Sequence, residues 1–152
     1  MSLESVHSYF RACAPDIEII ETDDSSATVE LAAKAHRVEP AQIAKTICVS
    51  VADRIVLIVT SGTTRLDNRK VKDVLGGKGR MLSAEQVLAA TSHPVGGVCP
   101  FGLPTLLPIY CDVSLRRFSE VVPAAGSGNA AIKIAPNRLA ELTSATWVDI
   151  CR

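Results

Sequence analysis

Three stretches of the chain hold residues whose type and spacing could do chemistry. Lys45 stands at the entrance of an apolar, β-branched run, between Ala44 and Thr46. A lysine at the edge of a buried strand can reach into a cleft as a fixed cation, orienting an ester carbonyl or a phosphate. It can equally snorkel, its stem packed and its head wet. The second stretch is Gly96-Gly97-Val98-Cys99-Pro100-Phe101-Gly102. Closely spaced glycines let backbone approach a ligand and aim N–H groups at an oxyanion, and Pro100 would stiffen such a loop. An ordinary tight connection has the same composition. The third is Gly126-Ser127-Gly128-Asn129, which suits either a hairpin turn or a second wall of one pocket.

Other chemistries lack their signatures. There is no G-x-x-x-x-G-K-[ST] loop, no G-x-G-x-x-G after a strand and no G-x-S-x-G elbow. Gly76-Gly77-Lys78-Gly79 follows a helix pattern, where glycines end helices. Five cysteines (Cys13, Cys48, Cys99, Cys111, Cys151) form no C-x-x-C pair, and His7, His36 and His93 stand apart from one another, so a zinc site or disulfide framework is not expected. Cys13 and Cys48 fall in apolar patterns and are expected in the core. Cys99 invites a thiol-nucleophile reading, but no histidine adjoins it in sequence.

The elements that must position these residues follow from periodicity. Leu3, Val6, Tyr9 or Phe10, and Cys13 define a first amphipathic helix ending near Ala14-Pro15. A short strand is expected around Ile17 and Ile19, and a helix over Ala27–Val38. Thr46–Val51 and Ile55–Thr60 read as a hairpin closed through Ala52-Asp53-Arg54. Asp67 caps a helix running to Leu75, with Gly76-Gly77 as its stop, and Ser83 with Gln86 forms a capping-box pattern before another. Strands are expected at about Leu106–Cys111, Glu120–Val122, Ala130–Ile134 and Trp147–Ile150, with a helix beginning at Pro136. Strands and helices mix without a steady βαβ rhythm. The fold class is therefore α/β, with a mixed, largely antiparallel sheet flanked by helices.

Composition bounds what such a fold can do. The chain has 152 residues, a length suited to one domain burying about 70% of its unfolded surface. Only 4% of residues are aromatic, so Val, Ile, Leu and Ala must build the core. Sixteen acids balance sixteen bases, which argues against non-specific coating of nucleic acid but not against gripping one small part of an RNA. The charge is uneven: Arg65, Arg69, Lys70, Lys72, Lys78 and Arg80 face only Asp67 and Asp73, leaving +4 in that window. A solvated helix face and a phosphate-facing patch both fit. No signal-peptide pattern and no long apolar run is present, so a soluble, cytoplasmic protein without membrane or DNA partners is expected.

The three stretches, in this order, resemble the YbaK type of aminoacyl-tRNA editing proteins, which share a fold with the editing domain inserted in bacterial prolyl-tRNA synthetases. The matching segments are Ala44–Val49, Leu66–Val71 through Leu75-Gly76, Val95–Gly102, and Gly126 through Ile134-Ala135-Pro136 with Leu139 and Leu142. The combination is specific where each part alone is weak. The resemblance implies a partly barrel-like sheet and an ester hydrolase that frees a mischarged amino acid from a tRNA 3′ end, often tRNA for proline carrying a small residue. It implies that Lys45 holds the 3′ end, that Gly96 and Pro100 form the loop fixing the aminoacyl carbonyl, and that no metal or organic cofactor is used. Around them Thr46, Gly97, Val98, Cys99, Phe101, Gly102, Gly128 and Asn129 would form the substrate pocket, with Arg65, Arg69 and Lys70 on the tRNA phosphates. Prolyl-tRNA synthetase is an implied partner.

An aminoacyl ester is already activated, so its hydrolysis needs positioning and charge stabilisation more than a strong base. The ribose 2′-hydroxyl is the expected source of assistance. Relatives acting on cysteinyl-tRNA tend to have an acidic residue just after the late glycine loop, and those acting on alanyl-tRNA a nearby histidine. Here Asn129-Ala130-Ala131-Ile132 stands there, and only a small side chain is indicated. A non-catalytic module binding tRNA ends or assisting a synthetase, and a hydrolase of small free esters, are the rival readings.

Overall fold

The computed structural model describes residues 2–152. Helix α1 (Ser2–Cys13) turns Val6 and Phe10 inward and stops before Pro15. Strand β1 (Ile20–Glu21) lies just beyond the expected Ile17–Ile19. Helix α2 (Val29–His36) begins where the Thr28 side chain accepts the Leu31 N–H, and ends at Arg37 in the left-handed region. Strands β2 (Ile43–Val51) and β3 (Arg54–Ser61) form the expected antiparallel hairpin. Ala52 and Asp53 both have positive φ, 49° and 62°, the backbone of a two-residue turn whose twist matches the strands.

The caps expected from sequence are all formed. Asp67 accepts the N–H groups of Arg69 and Lys70 to start α3 (Asn68–Leu75), and Gly76 ends it at φ 83°. After β4 (Arg80–Met81), Ser83 and Gln86 exchange capping-box bonds at the start of α4 (Ala84–Thr91). Then follow β5 (Ile109–Asp112), β6 (Val122–Pro123), β7 (Ala130–Ala131), α5 (Pro136–Thr143) and β8 (Thr146–Val148). The strand expected from Leu106 begins only at Ile109, because Leu106 is wholly exposed on a proline-bracketed loop. That expected over Ala130–Ile134 is two residues plus an isolated bridge between Ile134 and Val121.

The main sheet has the order β4-β2-β3-β5-β8, with β6 also on β2. It is mixed: β2 pairs antiparallel with β3 and β4, whereas β6, β5 and β8 join parallel to their neighbours. From β6 the pairing continues through an Ala124–Ala131 bridge to β7 and on to β1, so the sheet wraps around one end of β2. Alternation along β2 and β3 feeds two cores. Ala44, Cys48, Leu57 and Val59 face α1, Phe101 and α5, while Val49, Val51, Val56 and Ile58 face Val71 and Leu75 of α3. A third cluster joins Ala32 and Ala33 of α2 to Ile43, Val122 and Ala131. Cys13, expected in the core, is exposed at the end of α1.

Candidate active site

A cavity of about 310 Å³ opens beside β2, walled by α2, α4, the first glycine loop and the alanines flanking the second. Lys45, Thr46, Gly96 and Val98 line it, together with small or apolar neighbours such as Ala32, Ile43, Cys48, Val87 and Ala130. Its position follows from strand pairing. On the outer edge of β2, β6 pairs at Ile43 and Ala44, and β4 pairs at Val49 and Ser50. Residues 45–48 lie in the gap between them, and the cavity fills that gap. Met81 and Val95, both largely exposed, stand among the lining residues.

Lys45 occupies this wall, but its side chain follows the strand alternation to the face opposite Thr46. Its ammonium donates to the Thr64 carbonyl at 2.6 Å. Burial draws its pKa below the usual lysine value, and the like charge of nearby Arg65 adds to this. Arg65 follows Thr64, the residue Lys45 bonds, and its own backbone is clamped to Arg152. Arg69 is exposed at the start of α3. Lys70 reaches across to Asp149 at 3.3 Å and to the Cys151 carbonyl at 3.1 Å, so part of its charge is already engaged within the fold.

The first glycine loop divides between lining and packing. Gly96, at φ 93°, lines the cavity, and among the described residues no hydrogen bond uses its N–H or that of Val98. Gly97 faces the other way: a Cβ there would lie 2.6 Å from the Ser127 nitrogen, and its carbonyl accepts the Gly126 N–H. The close approach that requires glycine is to the second loop, not to a ligand. Pro100 is buried and lines a different cavity, under the loop at Leu103–Pro108. Phe101 is fully buried, its ring 4.7 Å from that of Phe10, and Gly102 packs against the Ser5 carbonyl. These residues hold the loop from behind and do not line the main cavity.

Cys99 is also fully buried, and tertiary structure supplies the histidine that the sequence did not place beside it. His93 Nε2 lies 3.4 Å from Cys99 Sγ. The pair is not poised for attack. His93 Nε2 donates to the Phe101 carbonyl at 2.7 Å, while Nδ1 lies 2.5 Å from the Ser2 hydroxyl. Burial pushes the Cys99 thiol up to about 12 and holds the His93 pKa down. A buried thiol of this kind is inert near neutral pH.

The second loop is a turn between β6 and β7. Asn129 is used internally: its amide donates to the Thr22 carbonyl at 3.0 Å and its Oδ1 accepts the Ser127 hydroxyl. Gly128 gives its carbonyl to Ser26. Neither lines the cavity. The wall comes instead from Ala124, Ala130 and Ala131 on either side of the turn, a contribution hidden in the sequence because alanine carries no chemical signal. Among the described residues no group of three or more His, Cys, Asp or Glu side chains is placed to hold a metal.

The profile of the aminoacyl-tRNA editing domain matches residues 23–142, most of the chain and all of this cavity's walls. The chain belongs to that family. It is 44% identical over its whole length to the uncharacterized protein YwhH of Bacillus subtilis, covering 98% of that protein. Over 81% of the chain it is 28% identical to EbsC of Enterococcus faecalis, described as a candidate Cys-tRNA(Pro)/Cys-tRNA(Cys) deacylase, of which 76% is covered. A solved structure described as a candidate trans-editing enzyme for prolyl tRNA synthetase superposes with a TM-score of 0.92 at 31% identity, covering 99% of this chain and 97% of that one. Similar sequence also occurs within the proline–tRNA ligase of Solidesulfovibrio magneticus, 33% identical over 78% of this chain and 20% of the ligase.

Proposed function

We propose that the protein is a trans-acting deacylase that hydrolyses the ester between a small, wrongly attached amino acid and the 3′ end of a tRNA, with tRNA for proline as the first candidate. The observation that carries this reading is the meeting of Lys45, the Gly96 turn and a small apolar cavity at the gap in the β2 edge. The unused N–H groups of Gly96 and Val98 supply donors for the charge that develops on the carbonyl oxygen. Lys45 and Arg65, drawn together around Thr64, supply positive charge for the terminal phosphate. Arg69 extends that basic surface, and Lys70 contributes to it through its exposed side.

Among the described residues no side chain lining the cavity is a nucleophile with a base beside it, so water is the attacking group in this reading, with the ribose 2′-hydroxyl orienting it or sharing its proton. The chemistry then rests on orientation and charge stabilisation, which suffice for an activated ester. Alanine-lined walls admit small residues and discriminate weakly, by about 1–3 kcal/mol per methylene. The protein would act in the cytoplasm, freely or docked on prolyl-tRNA synthetase.

The test is deacylation of tRNA for proline charged in turn with alanine, cysteine, serine and proline. Release of one or two non-cognate residues is expected, with loss in Lys45→Ala. No release from any of the four, with tRNA binding retained, would establish a binding module instead. Substrate with a 2′-deoxy terminal adenosine is expected to be cleaved far more slowly, and cleavage at the normal rate would remove the ribose from the mechanism.

A further inference from the structure

Thr46, on the wall of this cavity, is left with its polar groups unused. In an antiparallel ladder, each residue turns its N–H and C=O together either towards or away from its partner. The two-residue turn at Ala52-Asp53 makes Val51 and Arg54 the bonded closing pair. Counting back along the register, Val49, Ile47 and Lys45 turn their main-chain groups to β3, and Thr46 turns its own outward. Outward from Thr46 is the gap between β4 and β6. The Thr46 hydroxyl, buried on the cavity side, has no hydrogen-bond partner among the described residues either. An edge residue with a free N–H, a free C=O and an orphan hydroxyl, all beside one cavity, is costly to keep unless something pairs with it.

We infer that Thr46 reads the aminoacyl group itself, as if it were a one-residue β-strand added to the open edge of β2. This rests on the editing reading above and names how its substrate is held. An aminoacyl ester carries the two groups a strand residue carries, an α-ammonium donor and a carbonyl acceptor on one carbon. Laid opposite Thr46, the ammonium donates to the Thr46 carbonyl and the ester carbonyl accepts the Thr46 N–H, the two-way exchange of a bonded pair. Residues directly opposite in a ladder place their side chains on the same face. The amino acid's side chain therefore enters the pocket that Thr46 shares with Cys48, Val87, Val98 and Ala130. There the orphan hydroxyl favours a small side chain that can itself hydrogen-bond.

The fit also assigns a role to the gap. If β4 extended by three residues or β6 by two, Thr46 would be paired within the sheet and the site would close. The same backbone contact holds the ester carbonyl at the β2 edge, between the donors of the glycine loop and the basic surface at Lys45 and Arg65.

The experiment is a titration of ¹⁵N-labelled protein with 3′-amino-3′-deoxyadenosine carrying alanine or serine through a non-hydrolysable amide, and with the propionyl compound that lacks the α-amino group. The Thr46 amide resonance is expected to shift with the aminoacyl compounds, and the propionyl compound to bind about tenfold to a hundredfold more weakly. Shifts at Gly96 and Val98 with none at Thr46, or equal binding of alanyl and propionyl compounds, would overturn this inference and leave the editing reading standing. No shift anywhere around the cavity with any of the compounds would overturn both.

Discussion

The glycine loop contains the residue most open to misreading, Cys99. A cysteine 3.4 Å from a histidine resembles a nucleophile–base pair, but both groups are fully buried. With the thiol at about 12 and the imidazole held by Phe101 and Ser2, the pair is structural. Under the proposed function, Cys99→Ala is expected to keep deacylation within about threefold of wild type. Loss of activity in this variant, with its fold intact, would return the thiol to the mechanism. The contrast with Lys45 is informative. Its ammonium is only half-buried and is bonded to the Thr64 carbonyl, and under the proposed function it meets a phosphate there.

At the scale of elements, the glycine loop is a plate held from behind. Phe101 pins it to Tyr9 and Phe10 of α1, and Gly97 presses it against the second loop. Phe101→Ala removes a fully buried ring, which costs about 3–5 kcal/mol, and urea denaturation measures it. Gly97→Ala is the more selective perturbation. Its Cβ would sit 2.6 Å from backbone at Ser127, so the two loops must part. Activity is expected to fall more than stability, and Gly97→Ala with full activity would mean that the spacing of the loops does not set the site.

For the molecule as a whole, the balanced charge conceals a pH dependence. His36 and His93 are buried, and burial lowers both pKa values below 6.5, with Lys133 adding to the shift at His36. As pH falls below about 6.5, the unfolded chain takes up protons that the folded chain resists, so stability drops with acidification. Thermal unfolding from about pH 7 to about pH 5 is expected to show a falling midpoint. His36 also carries an unpartnered Nε2. His36→Leu is therefore expected to raise the midpoint and flatten its pH dependence, and a midpoint that stays level in wild type would contradict the assignment.

Local structure was legible in the sequence wherever a local cause acts. Asp67, Ser83 with Gln86, Gly76 and Pro136 announced helix ends because caps are contacts within a few residues. The β2–β3 hairpin was legible because its turn is two residues long. The strands at Leu106 and Ala130 were misjudged in length because partner strands, not propensity, decide where pairing stops. The site divided in the same way. Lys45, Thr46, Gly96 and Val98 were visible as residue types in a pattern, and they meet at the cavity. Cys99, Phe101, Gly102, Gly128 and Asn129 shared that pattern but pack behind the walls or bond within the chain. The alanines of the far wall had no chemistry to read. Sequence by itself determined the helices, their caps, the β2–β3 hairpin and the family pattern, since these depend on neighbours along the chain. Only the tertiary structure decided which edge of β2 stays open and which glycines serve packing. It also decided that Cys99 is buried against His93, since each of these depends on what a distant segment covers.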